Sequence, residues 1–128
     1  MDKRSREWLK QADYDIDMAE YMFAGGKFFY AVFMCHLSVE KAIKGLYQKR
    51  LKETPPKTHN LVYLLKKIDI RPVETAVKFI VKLNEASVAT RYPEDIDKLQ
   101  GQYTKDVVKN IIVESRKVLE WIKGEFTR

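Results

Sequence analysis

Two adjacent glycines, Gly25-Gly26, separate two long stretches of helical periodicity in this 128-residue chain. Before them, Leu9, Ala12, Ile16, Ala19 and Phe23 recur at spacings of three and four, the period of one helical stripe, while Asp13, Asp17 and Glu20 fall on the other side. This predicts a helix over about 5–24, ended by glycine, which accepts the left-handed conformation at a helix C-terminus. After the glycines, Phe29, Val32, His36, Val39, Ile43 and Leu46 make a second stripe on a helix over about 27–52. Beside it runs a row of small residues, Ala31, Cys35, Ser38, Ala42 and Gly45, over which a neighbouring helix can approach closely. A linker this short leaves an antiparallel hairpin as the arrangement.

Glu53-Thr54-Pro55-Pro56 ends the second helix, because proline disfavours helical geometry in the residue before it. Thr58 or Asn60 can cap a short third helix carrying Leu61, Leu64, Leu65 and Ile68. Pro72 suits the first turn of a fourth, reaching about Val88, with Val73, Val77, Ile80 and Leu83 or Asn84 inward. Thr90 to Tyr103 has no helical period. A last helix starts near Thr104, with Asp106 favourable in its first turn, and runs to about Phe126. No segment alternates as a strand. The expected fold is all-α: an antiparallel up-and-down bundle of four main helices plus one short helix, in a single domain over 1–128.

No apolar run approaches the ~20 residues that a membrane span needs. The start, Met1-Asp2-Lys3-Arg4-Ser5-Arg6, is charged rather than export-like, and the single cysteine, Cys35, suits a reducing compartment, so a cytoplasmic location is expected. Cys35, among small residues, reads as a packing residue. The net charge is +6, and its distribution is uneven. Residues 27–68 carry nine basic side chains and two acidic ones, Glu40 and Glu53, whereas residues 1–26 are net acidic. Such a stretch is either a solvated face or a surface for anions.

Glycine loops of the dinucleotide and P-loop types are absent, as are paired histidines at metal-ligand spacing and the Glu-x-x-His signature of di-iron bundles. No cofactor is expected. Three features remain. His36 lies on an apolar stripe with Glu40 one turn on and Lys44 a further turn on. Either Glu40 orients His36 for acid–base work while Lys44 holds an anion, or His36 is a buried histidine satisfied by Glu40. His59, after Lys57-Thr58, either contacts phosphate at a helix start or packs in a turn. Lys41, Lys44, Lys49, Arg50, Lys52, Lys57, Lys66 and Lys67 supply the basic surface. Finally, Tyr92 before Pro93 is held extended, which splays it from Arg91. These two face a ligand or a dimer mate, or else Tyr92 plugs the bundle end and Arg91 pairs with Glu94 or Asp95.

Three segments in this order carry a family resemblance: His36-Leu37-Ser38-Val39-Glu40-Lys41-Ala42-Ile43-Lys44-Gly45-Leu46, then Pro56-Lys57-Thr58-His59-Asn60-Leu61, then Arg91-Tyr92-Pro93. With the Gly25-Gly26 helix end and the aromatic entry Phe28-Phe29-Tyr30, the chain resembles the HEPN family (higher eukaryote and prokaryote nucleotide-binding) over nearly its whole length. The resemblance implies a helical bundle, commonly a homodimer through its long helices. It also implies a minimal nucleotidyltransferase as partner, in a two-component system of toxin–antitoxin type. Many members are metal-independent ribonucleases with an Arg-(x)4–6-His motif. This sequence departs there: Ile96, Asp97 and Lys98 stand where that histidine would follow Arg91, and no histidine occurs after His59. The expectation is therefore a dimeric nucleotide- or nucleic-acid-phosphate-binding protein without that motif. The candidate ligand residues are His36, Glu40, Lys41, Lys44, Lys57, His59, Arg91 and Tyr92. The alternatives are a ribonuclease using His36 or His59 with Arg91, and a purely structural interaction module.

Overall fold

The computed structural model describes residues 2–128, and among these every regular element is a helix: α1 (Lys3–Ala24), α2 (Phe28–Leu51), α3 (Leu61–Lys67), α4 (Glu74–Arg91), α5 (Ile96–Gln102) and α6 (Lys105–Glu125). Helix starts follow local chemistry. Asp2, Asn60, Asp95 and Thr104 each accept a backbone N–H of the turn that follows, which satisfies one of the donors a helix leaves unpaired at its start. At the other end of α2, Lys52 turns left-handed (φ 56°) ahead of the two prolines.

Cross-contacts give the helix directions. Asp15 pairs with Lys41 and Trp8 Nε1 donates to Gln48, so residue numbers rise on α1 as they fall on α2 and the pair is antiparallel. Asp13 pairs with Lys123 and Asp17 with Arg116, which makes α6 antiparallel to α1 and hence parallel to α2. Helix α2 is the central element, packed against α1, α6, α4 and α3. Fourteen of its 24 residues are buried, among them the whole predicted stripe and the whole small-residue row. The row admits α1 at short range. Ser38 Oγ donates to the Ala12 carbonyl at 2.6 Å, and a Cβ placed on Gly45 would come within 2.9 Å of Trp8 Cβ. Cys35 is buried there, and burial pushes its thiol up to about 12, consistent with packing rather than reactivity.

Three expectations are corrected. First, the stretch read as aperiodic contains α5, so there are two short helices rather than one. Asp95 caps α5 through the Lys98 N–H at 3.1 Å, and its single buried residue, Leu99, is too little to register as a period. Second, α4 begins beyond Pro72, at Glu74, because Val73 is extended and supplies the cap carbonyl to Val77 N. Third, Val73, outside the helix, is 72% exposed and Val77, at the edge of the buried stripe, is 40% exposed, while Ile80 and Leu83 hold the core. The same helix continues to Arg91, which therefore sits on its last turn rather than in a loop.

Candidate functional site

On α2, Phe33, His36, Glu40 and Lys44 follow at spacings of three, four and four, a ridge that faces the segment before α3 and the end of α4. Buried carboxylates need partners. Glu40 is buried and has them: Lys44 Nζ donates to Oε2 at 2.9 Å, and His59 Nδ1 lies 2.8 Å from Oε1. A carboxylate paired with an ammonium only accepts, so the proton of this contact sits on His59 Nδ1. Nε2 is then left to the outside, on a side chain that is 55% exposed.

Local turn chemistry holds His59 in place. Thr58 Oγ1 accepts from Asn60 N, and Asn60 Oδ1 caps α3 by accepting from Tyr63 N at 3.1 Å. From α4, Asn84 Oδ1 accepts from Leu61 N at 2.9 Å and Nδ2 donates to Asn60 Oδ1 at 3.3 Å. The segment that presents His59 is thus tied to α2 by Glu40 and to α4 by Asn84.

His36 is fully buried between these parts. Its Nδ1 stands 3.7 Å from Glu40 Oε1, beyond hydrogen-bond range, and neither ring nitrogen meets a partner in good geometry. Burial lowers its pKa to about 4, against the pull of Glu40 and weaker contributions from Asn84 and the His59 backbone, while Arg91 adds to the lowering. The ring is therefore neutral at pH 7. One turn before His36, the Arg91 guanidinium lies 4.9 Å over the Phe33 ring, and one of its terminal nitrogens is buried with no hydrogen-bond partner. His59 and Arg91 thus flank His36, about 10 Å apart along α2 by helix rise.

Of the sequence-derived candidates, His36, Glu40, Lys44, His59 and Arg91 come together. Lys41 does not join them, since it turns to α1 and pairs with Asp15 at 2.8 Å. Lys57 is exposed in the loop before His59, and Tyr92 is 75% exposed beyond the end of α4 rather than plugging the bundle. The basic stretch is not one open face. Lys41, Lys44 and Arg50 are in ion pairs, and Lys49 and Lys67 lie over the rings of Phe126 and Tyr63. Two contributors carry little sequence signal. Asn84 is legible only as a polar residue on an apolar helix face. Phe33 has none, because its role depends on Arg91, 58 positions away. Among the described residues, no group of three or more His, Cys, Asp and Glu is placed to hold a metal, and no helix is long and apolar enough to cross a membrane.

The profile of the HEPN domain matches residues 5–125. The chain belongs to the HEPN family. Among solved structures, this HEPN chain is similar to ST0689, an archaeal HEPN homologue, at 27% identity and a TM-score of 0.78, covering 97% of this chain and 98% of that one. It is also similar in fold to TT1696 from Thermus thermophilus, with 22% identity, a TM-score of 0.81, and coverage of 96% and 98%. A search of curated proteins returned no match. As a HEPN chain it lacks the Arg-(x)4–6-His motif, and the positions where that histidine would follow Arg91 are the exposed first turn of α5.

Proposed function

We propose that this HEPN protein binds a phosphate-bearing ligand, a nucleotide or RNA, at the edge formed by His59 and Arg91. The observation that carries this reading is the buried Glu40, which orients an exposed imidazole while the neighbouring guanidinium keeps a nitrogen unpaired. The half-buried Arg91 carries a planar guanidinium of the kind that matches phosphate oxygens, and His59, with its Nδ1–H on Glu40, donates from Nε2 to a phosphate in its imidazolium form. Lys57, exposed two residues before His59, adds charge at the same edge. The protein acts as a homodimer with a minimal nucleotidyltransferase as partner, in a two-component system of toxin–antitoxin type, and the long helices supply the dimer contact. Supporting that contact, Val77, Val81, Val88 and Tyr92 leave an apolar stripe exposed along α4, next to Arg91.

The test is titration of a fluorescent oligoribonucleotide and of ATP at several salt concentrations, with sedimentation in parallel. Binding that weakens steeply with salt, and about tenfold or more in Arg91→Ala and His59→Ala, is expected. Unchanged affinity in both variants would refute the site. Only a 15.1 kDa species at micromolar concentration would refute the dimer.

A second reading is favoured by the same Glu40–His59 contact. An imidazole whose Nδ1 is held by a carboxylate and whose Nε2 is open is poised to take a proton from a ribose 2′-hydroxyl, with Arg91 stabilising charge on the phosphate. Buried His36 has no route to such a proton. Metal-free cleavage of RNA that is lost in His59→Ala would establish this chemistry, and its absence in the wild type would leave binding alone.

A further inference from the structure

A cavity of about 570 Å³ is lined by none of the residues of the Glu40 site. It lies where the turn into α2 meets the turn between α5 and α6. Its volume falls within the ~300–1,000 Å³ usual for small-molecule sites. Its walls are aromatic, from Phe28, Phe29 and Tyr30 on the first turn of α2 and Tyr103 across from them. The rings of Phe29 and Tyr30 lie 4.5 Å apart and tilted by 43°, so they form a fixed corner rather than a flat floor.

The charge of this cavity has one sign. Lys27 and Lys105 line it, neither has an ion-pair partner among the described residues, and no acidic side chain is among the lining residues. By contrast, the cations that border α1 and the Glu40 site meet acids: Lys41 meets Asp15, Lys44 meets Glu40, and Lys123 meets Asp13. The start of α2 adds to the same potential, because Lys27 at its cap position provides no side-chain acceptor for the first-turn N–H groups. Two unpaired ammonium groups beside an aromatic pocket of this size suit one kind of occupant. Its body is flat and apolar, and its charge is negative.

We propose that the cavity between the starts of α2 and α6 binds a small aryl anion, a ring bearing a carboxylate or a phosphate. The ring seats against Phe28, Tyr30 and Tyr103, and the anionic group engages Lys27 and Lys105. The site is separate from the Glu40 array and stands whether or not that array binds RNA.

The experiment uses the whole chain and three probes of similar ring area: 2-naphthoate, 1-naphthyl phosphate and the neutral 2-naphthylmethanol, followed by amide chemical shifts. Both anions are expected to shift the amides of residues 27–30 and 103–105, and to bind about tenfold or more tightly than the alcohol. The stronger of the two anions identifies which group the lysines favour. In Lys27→Ala/Lys105→Ala, made at side chains without structural partners, anion affinity should fall to that of the alcohol and lose its salt dependence. Tyr103→Ala should weaken all three probes, and a thermal melt distinguishes this from unfolding. Equal binding of anions and alcohol, shifts clustered elsewhere, or no shift with any probe would overturn the proposal.

Discussion

The two faces of α2 are built on opposite principles. Toward α1, small residues of α2 make the contact, a close seam: Ser38 is close enough that its hydroxyl reaches the Ala12 carbonyl, and Gly45 lies against Trp8. Toward the loop before α3 and α4, the same helix presents Phe33, His36, Glu40 and Lys44, with two charges, a neutral imidazole and an unpaired guanidinium nitrogen. The seam gains from dispersion and burial, which need only shape. The polar face removes charged groups from water, and ion pairs so buried rarely repay their desolvation better than apolar residues of the same volume would. A fold could close that junction with leucines. That this one places an ion pair and two histidines there instead is the physical sign of a site rather than of a core.

The comparison can be broken most strongly at Glu40. Glu40→Ala leaves Lys44 buried without its partner and frees His59, at a cost of about 3–5 kcal/mol in denaturant unfolding. If Glu40→Ala together with Lys44→Met regains most of that loss, the cost lies in the uncompensated charge, whereas no recovery would place it in packing.

The next effect belongs to His36. The unfolded chain takes up a proton at its ordinary value near 6.5, while the folded ring resists until about 4. Stability from this residue is therefore complete above pH 6.5 and is lost as pH falls from there to about 4, because the unfolded state binds the proton first. Measured between pH 7 and 5, the wild type should lose stability more steeply than His36→Leu. Parallel slopes would show that His36 is not held neutral.

The smallest of the three effects tests the seam. In Gly45→Ala the new methyl meets Trp8 Cβ, a backbone-anchored atom that cannot swing away, and Phe126 behind it. An overpacking cost of about 1–3 kcal/mol is expected, with the affinity of the His59–Arg91 edge for RNA unchanged. A change in that affinity would mean that the two faces are coupled through α2.

What is readable in the sequence follows the same division. The stripe Phe29, Val32, His36, Val39, Ile43 and Leu46, the small-residue row, and the Asn60 and Thr104 caps all appear where the sequence pattern puts them, since each depends on neighbours three or four positions away. Helix α5 escapes the pattern because seven residues with one buried side chain carry too little period to detect. Val73 falls outside the core because it is the extended cap residue before Glu74, and Val77 because it sits at the edge of the stripe that Ile80 and Leu83 bury.

At the site, the sequence pairs Glu40 with His36, its i−4 neighbour, yet its short contact is with His59, 19 residues on. The Arg91–Phe33 stack spans 58 residues, and the Lys41–Asp15 pair removes from the array a lysine that sequence alone could not separate from Lys44. By itself, then, the sequence determined the all-helical class, the α1–α2 hairpin, the last helix and the family, because periodicity, caps and turns are local. Only the tertiary structure decided which histidine Glu40 holds, which cations are already paired and where the one-signed cavity opens. Those outcomes depend on contacts between helices, and no local pattern records them.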